Sequence, residues 1–227
     1  VIPLIRAMKY RIKLNRNQKK ILNKWNDHYR YSYNKAISII NDECSELKNE
    51  KLSNQFREFN ESNDLEKKAN YNINYSAYTL RDMIVPKSCT EYIKWIDETP
   101  GPIRARAVFE AHDNYKTCIE KIKQKQIKFF HLKYKTKKDI RWTMNTSKDD
   151  TKVLRCDKCS NVGKIHTYKN DICTCKFIQK NKFTMFPKQN LGWIRTTENI
   201  KVDITKHDCK IHFDGKHYYI IVPYEKQ

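Results

Sequence analysis

Four of the eight cysteines fall close together, as Cys156-x2-Cys159 and, after thirteen intervening residues, Cys173-x-Cys175. Two close thiolate pairs can close a tetrahedral zinc site around a loop; with four protein ligands such a site has no open position, so it staples the chain rather than catalyses. The Cys-x-Cys half is the weaker partner, because its thiolates reach a common metal less readily, and His166 can stand in for a cysteine. Reduced, unligated thiols and redox chemistry are the alternatives. The second concentration of chemistry is cationic. From Arg104 to Arg141 there are twelve Lys or Arg against four Asp or Glu. Within it Lys128-Phe-Phe-His-Leu-Lys-Tyr-Lys-Thr-Lys-Lys138 alternates cations with rings, a pattern that a strand divides into a phosphate-facing and a packing face.

Hydrolytic chemistry has no comparable signature. The chain contains no Gly-x-Ser-x-Gly and no His-Glu-x-x-His, and its four glycines, Gly101, Gly163, Gly192 and Gly215, make no phosphate-cradling loop. Asp149-Asp150, set among Lys, Ser and Thr, reads as a turn rather than a two-metal site. The seven histidines lack ligand spacing, and most are expected to be exposed or beside phosphate.

A formal charge of +20, from 46 Lys plus Arg against 26 Asp plus Glu, exceeds what solubility needs and implies a polyanionic partner. Nucleic acid fits first. An anionic membrane surface is the rival, but the sequence holds no apolar run of about 18 residues, no signal-peptide core and no lipidation motif, so no membrane is expected as partner. The 227 residues suffice for one large domain or two small ones. Without a secretory signal the cysteines are expected to be reduced, and Cys44, Cys89, Cys118 and Cys209, isolated within apolar patterns, read as small buried hydrophobes.

The elements that must position these groups follow from periodicity. Met8, Tyr10, Ile12 and Leu14 alternate with Lys9, Arg11 and Lys13, a half-buried strand with a cationic outer face. Asn15 and Gln18 then offer a capping box, and Leu22, Trp25, Tyr29, Tyr33, Ala36, Ile37 and Ile40 recur at helical spacing. A second helical pattern through Leu47, Leu52, Phe56 and Phe59 ends in a solvated linker from Asn60. Short helices are expected at Tyr75–Ile84 and Pro86–Ile96. Thr99 should cap a longer helix with Pro100 or Pro102 in its first turn and Ile103, Ala107, Ala111, Tyr115, Ile119 and Ile122 as its apolar stripe. After Lys128 the period becomes two. Ile200, Val202 and Ile204 alternate, and Ile211–Phe213, the Asp214-Gly215 turn and Tyr218–Val222 predict a hairpin whose last strand is buried on both faces. The fold class is therefore α+β: residues 1–15 give a first strand, 16–127 a helical block, and 128–227 the rest of a small β-barrel with a Cys-bearing insertion at about 155–179. A lone first strand cannot satisfy its own backbone, so it should join the later strands and leave the helical block as an insertion.

Four stretches, in order, resemble the N-terminal half of the TnpB and Fanzor proteins, transposon-encoded RNA-guided DNA nucleases. They are Lys9-Tyr-Arg-Ile-Lys-Leu14 with Gln18 and Tyr29-Arg-Tyr-Ser-Tyr-Asn34; Thr99 to Tyr115; Phe129 to Lys138; and Leu191-Gly-Trp-Ile-Arg195 with the closing His217 to Tyr224. The resemblance implies a wedge β-barrel carrying an inserted helical recognition lobe, which grips a guide RNA, its heteroduplex with target DNA, and a short motif in the adjoining duplex. The positions it marks are Tyr75, Gly101 to Arg106, and Thr143 to Asn145, expected to face one DNA groove. With the cationic pattern, the expected contacts are Lys9, Arg11, Tyr75, Gly101, Arg104, Arg106, Lys133, Lys135, Lys137, Lys138, Arg141, Thr143 and Asn145, to bases or to phosphates. The aromatics beside them, Tyr10, Phe129, Phe130, Tyr134 and Trp142, either stack on bases or pack in the core. In the family a RuvC-like nuclease half with metal-binding acids begins just beyond a strand like Tyr218–Tyr224. No catalytic carboxylate is therefore assigned within this sequence, magnesium is expected only in that half, and the half itself is an expected partner. The stretch from Arg155 to Gln179 departs from the family pattern.

The expected function is thus guide-RNA and target-DNA binding without cutting. The rival readings are a guide-independent basic DNA-binding domain of a transposase or viral regulator, with the Arg16–Ile40 helix in a groove, and an autonomous enzyme. Fanzor-like kinship places the protein in the nucleus or a viral factory, TnpB-like kinship in a bacterial cytoplasm.

Overall fold

The computed structural model describes residues 5–59, 73, 75–86, 97–127, 129–153, 181–186 and 189–225, with the backbone alone at 45–59 and 152–153. The expected Pro86–Ile96 helix, beyond Pro86 itself, and all four clustered cysteines lie outside the described residues. The fold is α+β. Its helices are α1 (Arg16–Phe59), α2 (Ala77–Ile84) and α3 (Gly101–Lys123); its strands are β1 (Ile5–Lys13), β2 (Trp142–Asn145), β3 (Thr151–Val153), β4 (Lys182–Met185), β5 (Ile194–Thr196), β6 (Lys210–Phe213) and β7 (Tyr218–Glu225). The chain forms two compact units: Val1–Tyr29, Trp95–Arg106 and Lys137–Gln227 make one, and Arg30–Lys94 with Ala107–Thr136 the other.

The first unit is built on an antiparallel sheet of order β2-β6-β7-β1-β5-β4-β3. β1 sits at its centre, paired along nearly its whole length with β7 and at its end with β5, so the first strand does join the later ones. Connectivity forces the sheet to curl. Its edge strands β2 and β3 are joined by only residues 146–150, a reach of at most about 20 Å. Laid flat, the six gaps between seven strands would hold those edges roughly 29 Å apart. The result is a half-barrel. Tyr10, Ile12, Met144, Phe183, Met185, Ile194, Ile211, Tyr218, Ile220 and Val222 are buried on its inner face. The start of α1 packs with them: Trp25 meets Phe186 edge-on at 5.5 Å, and Tyr218 Oη donates to Asn23 Oδ1 at 2.9 Å.

α1 opens as its residues dictate. Asn15 Oδ1 accepts from Gln18 N at 2.8 Å while Gln18 Oε1 accepts from Asn15 N at 3.1 Å, a reciprocal capping box. Gln18 Nε2 also donates to the carbonyls of Leu191 and Trp193, fastening the helix start to the loop before β5. The two helical patterns expected either side of Ile40 are one helix of 44 residues.

In the second unit Ile37, Ile40, Leu80, Ala107, Val108, Ala111 and Tyr115 are buried, whereas Ile119 and Ile122, expected in the stripe, are half-buried. α2 is capped by Ser76, whose hydroxyl accepts from Thr79 N. The ring-and-cation segment after Lys128 forms no strand. Its backbone is instead paired by two asparagines of α1. Asn41 donates to Leu132 O at 3.0 Å and accepts from Leu132 N at 3.1 Å; Asn34 does the same for Lys135 at 2.9 and 2.8 Å. A carboxamide carries the donor and acceptor of a peptide group, so each asparagine completes one rung of an antiparallel ladder. The spacing matches: seven helical residues rise about 10.5 Å, and three extended residues span about 10 Å.

Three further expectations are corrected. Ile200, Val202 and Ile204 form no strand: Val202 lies at a bend and Ile204 in a turn; Ile204 is buried, and its carbonyl accepts from the buried Cys209 thiol. β7 is buried on one face only, Tyr218, Ile220 and Val222 inward, because its other face continues the outside of the half-barrel. Thr99 turns its hydroxyl to His28 Nδ1 at 2.6 Å, and Pro100 O receives the N–H groups of Ile103 and Arg104 at the head of α3. Asp149-Asp150 does form a turn, capped by Ser147.

Candidate nucleic-acid interface

Strand alternation places every second residue on the outside of the half-barrel, and register aligns those residues into rows, since directly opposed residues share a face. One row runs Arg11–Tyr219–His212–Thr143 across β1, β7, β6 and β2. The next runs Lys9–Ile221–Lys210–Asn145 across the same strands. On the other side of β1, Lys13 stands opposite Arg195, which stands opposite Lys182 on β4. Lys9, Arg11, Lys13, Lys210 and Arg195 are exposed and Lys182 half-buried. Like charges directly opposed across strands cost about 0.2–1 kcal/mol per pair. None of Lys13, Arg195 and Lys182 has an acidic partner among the described residues. A row of this kind suits a ligand that brings its own negative charge.

Aromatic and polar groups interleave with the cations. Lys9 Nζ lies 4.0 Å from the Tyr219 ring centre, and Tyr219 lies 6.2 Å from His212, whose Nδ1 is 2.9 Å from Thr143 Oγ1. Burial, and then the Lys9 charge, hold His212 below the usual imidazole range, so it presents a neutral ring. The Tyr219 phenol is pushed upward by desolvation and then by the Asp214 carboxylate. Trp193, 45 % exposed, directly precedes β5. This face can pair phosphates and offer rings to bases.

Two marked segments distant in sequence meet at one hydroxyl. Tyr29 Oη accepts from Asn145 Nδ2 at 2.9 Å and donates to Arg106 O at 3.5 Å. Arg106 Nη2 is 2.6 Å from Asp208 Oδ2, and Asp208 Oδ1 accepts from Lys148 N. The start of α3 and the end of β2 are thereby joined. Arg104, in contrast, is 6 % exposed with Nη2 3.7 Å from Asp97 Oδ1, turned into the protein. Gly101 is half-buried, and a Cβ there would meet nothing within 4 Å. Tyr75 belongs to the second unit.

Lys133, Lys137, Lys138 and Arg141 are exposed. Lys135 is taken up within the second unit, 2.9 Å from both Glu110 carboxylate oxygens and 4.3 Å from the Tyr33 ring centre. Among the aromatics, Tyr10 is core, Phe130 packs on Tyr115, Trp142 packs on Phe213 and Tyr218, and Phe129 and Tyr134 project outward. The histidines differ from expectation. His28 and His112 are buried and only His131 of those described is exposed; His28 is held by the buried Thr99 hydroxyl.

Residues 4–48 match the helix-turn-helix domain family of the IS605 OrfB type. Within that span the described residues form β1 and an uninterrupted stretch of α1, not two helices about a turn. The chain is also similar to a protein of Paramecium bursaria Chlorella virus 1 named as a transposase, at 31% identity over 138 residues. That similarity covers 61% of the chain and 27% of the relative, so the match takes in about a quarter of the relative's length.

Among the described residues no His, Cys, Asp and Glu cluster is built to hold a metal ion, and no helix is long and apolar enough to cross a membrane. Sequence reasoning placed Lys13 on the outer face but missed its alignment with Arg195 and Lys182, and read Tyr29 as an apolar helix position and as part of the family-like Tyr29–Asn34 stretch, not as a bridging hydroxyl.

Proposed function

We propose that the chain is the nucleic-acid-binding portion of a transposon-associated protein, with DNA as a partner. The observation that carries this reading is the outer face of the half-barrel, where β1, β4, β5 and β6 supply six cations in register. The helix-turn-helix family match and the transposase-named relative support it. In its finer form, the duplex held is a guide RNA paired with target DNA, gripped through its backbone, while a short adjacent motif is checked near Arg106, Thr143 and Asn145. The wedge-and-recognition-lobe layout, with boundaries near residues 15 and 127, belongs to that reading, as do a magnesium-dependent nuclease segment elsewhere in the protein and a nuclear, viral-factory or bacterial cytoplasmic location. A structural zinc on Cys156, Cys159, Cys173 and Cys175 is a separable part, tested by metal analysis of the purified chain. One zinc lost on replacing Cys156 and Cys159 is expected, and a metal-free, equally stable protein refutes it.

The deciding experiment is to purify the chain without added nucleic acid, sequence what accompanies it, and titrate duplex binding against salt. A single structured RNA is expected, with affinity for an RNA–DNA duplex falling steeply as salt rises. Clean protein that prefers duplex DNA instead favours the guide-independent domain to which the family match at residues 4–48 points. Affinity indifferent to salt overturns both.

A further inference from the structure

The segment from Phe129 to Thr136 combines three properties. It belongs to no helix and no sheet. Its backbone is held at two points by side chains of α1 rather than by another strand. Its large rings project into solvent, Phe129 at 76 % exposure and Tyr134 at 47 %, with His131 and Lys133 also exposed between them. The remaining residues anchor it: Leu132 is buried, Phe130 meets Tyr115 edge-on at 6.0 Å, and Lys135 closes on Glu110. Two exposed rings on a fixed backbone keep their faces open to a ligand and meet no aromatic partner among the described residues.

We infer that this segment is a docking surface for an unpaired DNA strand, and that Asn34 and Asn41 are its positioning residues. The ring faces choose the occupant. A base in a duplex has both faces covered by its neighbours, so within a nucleic acid it is the unstacked bases that can lie on these rings. Lys133 lies between the rings and is exposed, a cation placed to meet the phosphates linking those bases, while Lys135 is held by Glu110 as an anchor. The asparagines set the presentation. By fixing both N–H and C=O of Leu132 and of Lys135, they decide which of the intervening side chains face outward and remove ordering that a strand would otherwise have to impose on binding.

The inference rests on the proposed function only in taking DNA as the partner. Its test uses the 227-residue chain, a labelled oligothymidylate of about twenty nucleotides and a duplex of equal length. Replacing Phe129 and Tyr134 together with Ala should weaken oligothymidylate binding about tenfold or more and leave duplex binding unchanged. Lys133→Gln should lower the salt slope for the single strand by about 0.7. Asn34→Ala removes no charge and no ring; it should weaken single-strand binding several-fold at an unaltered salt slope, with loss of hydrogen-exchange protection at the Lys135 amide. Both aromatic positions are on the surface, so the double variant remains informative even if Asn34→Ala fails to fold. Unchanged oligothymidylate affinity in the double variant overturns the inference, as does an equal loss for duplex, or binding of the rings to anionic vesicles instead. Failure of the parent chain to bind either nucleic acid would overturn the proposed function itself.

Discussion

Replacing Lys13, Lys182 and Arg195 with Gln should move stability and affinity in opposite directions. The row contains two directly opposed like-charge pairs, Lys13 with Arg195 and Arg195 with Lys182. At about 0.2–1 kcal/mol each, relief of both should stabilise the first unit by about 0.4–2 kcal/mol, since the glutamine stems still cover the sheet. For a protein of this size that is a rise in Tm of about 1–8 °C. If each cation neutralises one phosphate, the triple variant should lose as much as about 2.7 from the slope of log affinity against log salt on duplex DNA. Calorimetry and anisotropy titrations at several salt concentrations measure the two quantities. A variant that is less stable and binds equally well would refute the reasoning, because the row would then be structural. A stabilised variant with an unaltered slope would place the phosphates elsewhere.

His28 is 3 % exposed and its pKa is lowered to about 4, by burial first and then by Lys24. The fold therefore holds it neutral, and its contribution is fully present above the unfolded value of 6.5 and lost as pH falls towards 4, by as much as about 3 kcal/mol; urea melts across that window should show the loss, and His28→Gln should flatten it. Asn41→Ala leaves the N–H and C=O of buried Leu132 without their partner and should cost about 2–4 kcal/mol, more than Asn34→Ala because Asn34 is less buried, as read from urea midpoints. Tyr29→Phe keeps the ring but removes the hydroxyl between Asn145 and Arg106. A loss of about 1–2 kcal/mol in thermal unfolding is expected, together with weaker duplex binding if that junction touches DNA.

Local chemistry was the legible part of this fold. Asn15 and Gln18 announce the start of α1 because a capping box is satisfied within four residues. The alternation of β1 and the Asp214-Gly215 turn are likewise local, the turn held by Lys216 and His217 N–H groups on Asp214 Oδ1 and by the positive φ of Gly215. Errors arose where a short pattern has two solutions. Ile200, Val202 and Ile204 alternate as a strand would, but among the described residues they pair with no strand. No strand forms at 129–136; the backbone there meets side chains of α1 instead of another strand. Its rungs are completed by Asn34 and Asn41, which lie between apolar positions of α1 and reveal this role only when a peptide-like partner is placed opposite them.

The candidate interface was less legible because it is a property of register. Lys13, Lys182 and Arg195 are separated by up to 182 residues of sequence, and become one row only through the β1–β5 and β5–β4 ladders. A single-residue slip of either ladder would turn Arg195 inward and bring Ile194 outward. The burial of Ile194 and Thr196 on either side of Arg195 resists that slip. The hydrophobic demand of the half-barrel interior therefore fixes the cations on its exterior. Core packing and charge placement are one constraint here, so a core substitution that shifts the β1–β5 register should weaken nucleic-acid binding without touching a single cation.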